Sequence, residues 1–330
     1  MNPFTIKEYQ QFHLNEDRLQ NCYDKMWFKL FVPKSYDGLE LSMKEGCEEL
    51  LKIAEIQGGL GWTVNLGAGA NWFSGFFEEE VAEQLFTPKN AVIAGSGFTN
   101  GEWKTTENGF KISGEWTKCT GAHHATLFSL TANNLDEGSK IFVVPREKVQ
   151  WSVEKWPIMG MRNSSSFGII LNEAEVPAGY DFQMNVIKNN FHYSVFHIPF
   201  QSFARLCMSA SYLGVVRCLM NICTEELGKP LVLSTIKNDL LPLLQSSEVQ
   251  LYEIANRVEK LSLEGNYTAT DEQNIRKELG ENNIRIFNVI QTLFLAGGLP
   301  FIEEDNLVHW AYRDVLTAVQ HYMVSRKENT

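Results

Sequence analysis

The chain has 330 residues, 44% of them hydrophobic, which is enough to bury a sizeable core and to build two or three domains. The 40 acidic residues outnumber 29 basic ones for a formal net charge of −11, so nucleic acid is not the expected partner, and no lysine and arginine cluster interleaved with aromatics argues otherwise. The six cysteines form no C-x-x-C pair and read as reduced core thiols of a cytoplasmic protein; no leader-like segment and no apolar run of about 18 residues points to secretion or a membrane.

In chain order, residues 1–91 carry the helical period. Ser42 and Glu45 form a capping box that opens a helix through Met43, Cys47, Leu50 and Ala54. Pro33 and Asp37-Gly38 enforce a turn before it. The glycines of 58–61 and 67–69 follow no strand and lack dinucleotide-fingerprint spacing, so they predict close helix packing, with Asn71 and Trp72 turned to a neighbouring surface. Acids at 78–80 start another helix, which Pro88 ends.

The period changes in residues 92–186. Short β-branched or aromatic runs at 109–116, 127–131, 141–144 and 167–171, bounded by Gly, Pro and Asn, predict strands. Helices resume in 187–330, over 202–226, 240–263 and 275–295, with Gly297-Gly298 stopping the third. A last helix is expected over 306–324. On it His309, Arg313, Thr317 and His321 recur every four residues and share one face, which is either a solvated surface or the wall of a site. The chain therefore reads as mainly α with a central β domain, where a ligand would be held against helices on both sides.

No metal motif is present: His123 and His124 are adjacent on a turn, His192 and His197 lack helical ligand spacing, and the acids at 303–305 read as solvated. Neither a G-x-S-x-G elbow nor a Walker loop occurs. What remains are turns rich in Trp, hydroxyls and glycine, at 95–97, 116–121 and 156–164. They are either core and turns, or a bed for a planar aromatic cofactor whose ring needs an apolar face and fixed donors at its edge.

Four blocks in order, 109–125, 160–166, 175–177 and 310–321, resemble the acyl-CoA dehydrogenase superfamily, with an early Pro33 to Gly38 block that is similar except for Asp37 in place of glycine. The resemblance implies an N-terminal helical domain, a β-barrel middle domain and a C-terminal four-helix bundle. It further implies a flavin between the last two, FAD or FMN, and a homodimer or homotetramer. Gly114-x-Trp116 with Thr120-Gly121, Gly61-Trp62 and Gln320-His321 look closest to the two-component, flavin-dependent monooxygenases. The glutamate that serves many dehydrogenases as base is matched here by about Tyr322.

The expectation from that resemblance is a monooxygenase-like enzyme that uses oxygen and reduced flavin, with a separate flavin reductase as partner, on a small substrate. Ser96, Trp116, Thr120, Gly121 and Ser164 would hold the flavin, and Asn71 and Trp72 would face the substrate. His321 would serve as acid/base, with Arg313 and Asp314 holding the last helix in register. Two alternatives stand beside it: acyl-CoA dehydrogenation with a carboxylate such as Glu253 or Glu259 as base, and a non-catalytic binding scaffold. No metal, nucleic acid or membrane is expected.

Overall fold

The computed structural model describes residues 3–325, without the side chains of 153–155, so the expected outer domain limits at residues 1 and 330 lie outside the described residues. Five helices come first: α1 (Ile6–Gln10), α2 (Glu16–Asp24), α3 (Met43–Ile56), α4 (Gly58–Asn71) and α5 (Glu79–Phe86). The capping box that opens α3 is made, with Ser42 accepting from Glu45 N and Glu45 reaching back to Ser42. α4 carries no charged residue and is buried nearly all round, because its glycines let neighbours approach. A Cβ on Gly61 would sit 2.3 Å from Ala54 Cα of α3.

Seven strands follow: β1 (Ile93–Thr106), β2 (Gly109–Cys119), β3 (Leu127–Asn134), β4 (Gly138–Pro145), β5 (Gln150–Lys155), β6 (Phe167–Pro177) and β7 (Asp181–Phe182). They form one sheet in the order β5-β6-β2-β1-β3-β4-β7, with β5 and β7 at its edges. All pairs are antiparallel except β1 with β3, which run parallel in register Ile93 with Leu127. The β1–β3 ladder shifts register between Ser96 and Thr99 and again before Gly101, bulging the strand at Gly97 and Phe98. Trp103, Trp116, Phe128 and Phe142 fill the core of the sheet.

The remaining helices are α6 (Phe200–Glu226), α7 (Pro230–Thr235), α8 (Leu241–Leu263), α9 (Ala269–Gly297) and α10 (Leu307–Ala318), with a π-turn joining α7 to α8. By length and composition α6 could cross a membrane, but it is the central helix here, mostly buried in the protein. It meets α3 so closely that a Cβ on Gly214 would lie 2.3 Å from Leu51 O.

The last helix ends at Ala318, six residues short of the expected 324. No breaker stops it. Its continuation is captured by tertiary donors instead: Arg205 Nη1 donates to Met323 O at 3.0 Å and Asn283 Nδ2 to Val324 O at 3.0 Å. His321 therefore leaves the helical stripe it was expected to share with His309, Arg313 and Thr317.

Candidate active site

A cavity of about 300 Å³ lies where α4, α6 and the sheet meet. α4 and the turn after it contribute Asn65, Leu66, Gly69, Ala70 and Phe73; β1 contributes Ile93 to Gly97 at its bulge; α6 contributes Phe200, Phe203, Ala204, Cys207 and Met208. Thr120, Ser129, Thr131, Ile141 and Met184 complete it. On α6, positions 203, 204, 207 and 208 fall on one helical face, which is why that face and no other lines the cavity.

Two of the expected cofactor residues, Ser96 and Thr120, line this cavity. Thr120 Oγ1 lies 2.9 Å from Ser166 Oγ, and Ser166 Oγ lies 3.0 Å from Ser164 Oγ, a buried line of three hydroxyls leading away from the cavity wall. Gly121 takes φ +83°, a conformation that suits glycine, and its N–H donates to Ser164 O at 3.0 Å. The turns at 120–125 and 161–166 are thus clipped to each other. Ser164 and Gly121 belong to the site through that clip and not as lining.

The 161–166 turn holds Met161 and Ser165 in the left-handed region, at φ +53° and +59°, and its geometry is imposed from outside. Asp314 Oδ1 accepts from Met161 N at 2.5 Å, and Asp314 Oδ2 accepts from Gln57 Nε2 at 3.0 Å. Gln57 Oε1 in turn accepts from Leu60 N and from Asn163 Nδ2, so one buried network ties the start of α4, α10 and the turn together. Burial holds the Asp314 carboxyl up to about 7, against the donors Met161 N and Gly59 N that favour its charged form. Arg313 points away, its Nε donating to Met159 O at 2.6 Å and its guanidinium lying over Trp310.

Four expected residues stand elsewhere. Asn71 is fully buried, donating to Phe28 O and Ala91 O and accepting from Ile93 N at 2.8–3.0 Å, so its amide is used up in fixing the start of β1. Trp72 donates to Val195 O and stacks on Phe203 at 4.4 Å, behind the cavity wall. Trp116 lies in the sheet core with its Nε1 on Thr131 O at 3.0 Å, again supporting a lining residue without facing the cavity. His321 packs edge-on against Trp62 with ring centroids 5.6 Å apart; burial and Arg205 push it down to about 4, so it is neutral at pH 7. The cavity's lining does not include it.

The carboxylates considered as alternative bases also lie away from the cavity: Glu259 accepts from Met43 N and from Ser194 Oγ, and Glu253 is exposed. Among the described residues no cluster could hold a metal ion. Sequence reasoning missed Ser166, Asn65 and the α6 face. The triple serine 164–166 was a readable signal for the first, whereas Phe203, Cys207 and Met208 look like ordinary core at helical spacing.

No family model matches the chain. Its three-part architecture is the acyl-CoA dehydrogenase-like fold: butyryl-CoA dehydrogenase from Megasphaera elsdenii superimposes with a TM-score of 0.78 at 14% identity, covering 98% of this chain and 90% of that one. XiaF from a Streptomyces species, in complex with FADH2 and glycerol, superimposes with a TM-score of 0.86 at 18% identity, covering 97% and 87%. Within that fold the chain is a relative of flavin-dependent monooxygenases. It is 25% identical to indole-3-acetate monooxygenase from Pseudomonas putida over 64% of this chain and 55% of the relative. It is 25% identical to a pigment production hydroxylase from a Rhodococcus species over 61% and 55%. The chain spans about half the length of the curated relatives it matches.

Proposed function

We propose that this protein is the oxygenase component of a two-component flavin-dependent monooxygenase. The observation that carries the reading is the cavity itself: an apolar, nearly uncharged space with hydroxyls on one wall, at the junction of sheet and bundle, in a chain whose relatives are flavin-dependent monooxygenases. When bound, reduced flavin supplies two electrons to dioxygen, one oxygen atom entering the substrate and the other leaving as water.

The residues present fit a flavin ring. Thr120, backed by Ser166 and Ser164, offers the ring edge a hydroxyl whose partner is already ordered, and Phe73, Phe200, Phe203 and Met208 give apolar walls for a substrate beside it. Among the described residues no lysine, arginine or histidine lines the cavity, so the phosphate of FAD or FMN is met outside this lining. The chain's own work is to hold the ring edge through Thr120, to exclude water with the α6 aromatics, and to carry a proton along the Thr120–Ser166–Ser164 hydroxyls. A dehydrogenase reading lacks its base, since among the described residues no aspartate or glutamate lines the cavity.

The reading places a separate flavin reductase as partner and the protein in the cytoplasm, in keeping with six free, buried cysteines. It also places the chain in a homodimer or homotetramer, which the exposed Leu231, Leu295, Leu299 and Ile302 around α7 and the end of α9 support.

The test is an anaerobic titration with FAD and FMN, each oxidised and reduced, followed by flavin absorbance. Tighter binding of a reduced flavin is the expected result. Tight oxidised FAD that bleaches on adding an acyl-CoA would replace this function with dehydrogenation, and no binding of any flavin would leave a scaffold.

A further inference from the structure

Resting on the monooxygenase reading for its chemistry, we infer that the substrate of this cavity is a neutral aromatic molecule and that aromatic rings carrying a carboxylate are rejected. The lining carries this. Its polar groups are the Asn65 amide, the hydroxyls of Ser96, Thr120, Ser129 and Thr131, and the Cys207 thiol; among the described residues no Asp, Glu, Lys, Arg or His contributes to it. Burial raises the Cys207 thiol well above its ordinary value, so it too is uncharged at neutral pH.

The cations close by in the chain are committed elsewhere. Arg205 sits between lining residues Ala204 and Cys207, but on a helix of 3.6 residues per turn it points roughly 130° from the middle of the lining face. Its guanidinium donates to Met323 O. His321 is neutral against Trp62. A carboxylate entering the cavity would shed its water and find no opposite charge, which burial penalises heavily; a neutral ring loses nothing comparable. A reduced flavin beside the substrate brings no positive charge to change this.

The chain thereby parts from relatives whose names specify arylacetates, indole-3-acetate and p-hydroxyphenylacetate among them. A hydroxyl or ring N–H on the substrate is well served, because Asn65 already bonds weakly to Met208 Sδ at 3.2 Å and can exchange that partner for a better one.

The test compares indole-3-acetamide with indole-3-acetate, of the same shape but different charge, by calorimetry on the full chain with and without reduced flavin, at pH 7.5. The amide is expected to bind at least about tenfold tighter. Equal or tighter binding of the acid overturns the inference, as does failure of indole, phenol and the amide all to bind. Met208→Lys, which sets a cation on a side chain of similar length, is expected to narrow the gap at least about threefold. Should that variant not fold, the wild-type comparison decides alone. The flavin titration fails independently: a chain that binds reduced flavin yet prefers the acid loses only this inference.

Discussion

Asn71 shows how a residue chosen for chemistry is spent on architecture. Its amide satisfies two carbonyls and one N–H that would otherwise be buried unpaired, so Asn71→Ala is expected to cost about 3 kcal/mol, read as a lower urea midpoint. Three buried residues contribute to the acid behaviour. Asp314, held up to about 7 from 3.8, binds its proton more tightly when folded, so its contribution is present below about 3.8 and lost as pH rises through 7. His124 and His321, pushed down to about 3 and about 4 from 6.5, contribute fully above about 6.5 and lose it as pH falls through those values. Between pH 4 and 6.5 the aspartate therefore opposes the two histidines. Asp314→Asn removes the opposition, and the urea midpoint of that variant should fall more steeply with acid than wild type, by up to about 1 kcal/mol per pH unit. Thr120 was legible from the motif around it. The faces of Asn71, Trp72 and Trp116 were not, because in a helix end or a bulged strand one residue of offset decides between cavity and core.

Elements were legible where local chemistry fixes them: the capping box at Ser42, the acidic start of α5 and the four strand runs all lie within elements of those types. The end of α10 was not, since Arg205 and Asn283 that capture the chain beyond Ala318 come from helices far away in sequence. Nor was the parallel pairing of β1 with β3, which depends on the route of the chain and not on its alternation. The contact between α10 and the 161–166 turn has an element-scale test. A Cβ on Gly160 would lie 2.1 Å from Arg313 O and 2.6 Å from Asp314 N, both backbone, so neither can yield by a rotamer change. Gly160→Ala should push the turn off α10, lowering the melting temperature and weakening reduced-flavin binding by about tenfold.

For the whole molecule, the order of helices and strands was readable and their interlocking was not. The proposed homo-oligomer has a direct check at the exposed leucines near the ends of α7 and α9: if it forms there, Leu295→Glu with Leu299→Glu should give monomers by light scattering while leaving the cavity's ring binding in place. The interlocking has an effect during synthesis. α3 and α4 are made early, yet the surface that covers them is α6, whose first residue lies roughly 130 residues after the end of α4. At about 5–20 residues per second a ribosome takes roughly 6–25 s to cross that gap. Throughout it, a helix with no charged residue waits without its cover, so the nascent chain should be a client for chaperones that grip apolar segments, released only when α6 clears the exit tunnel.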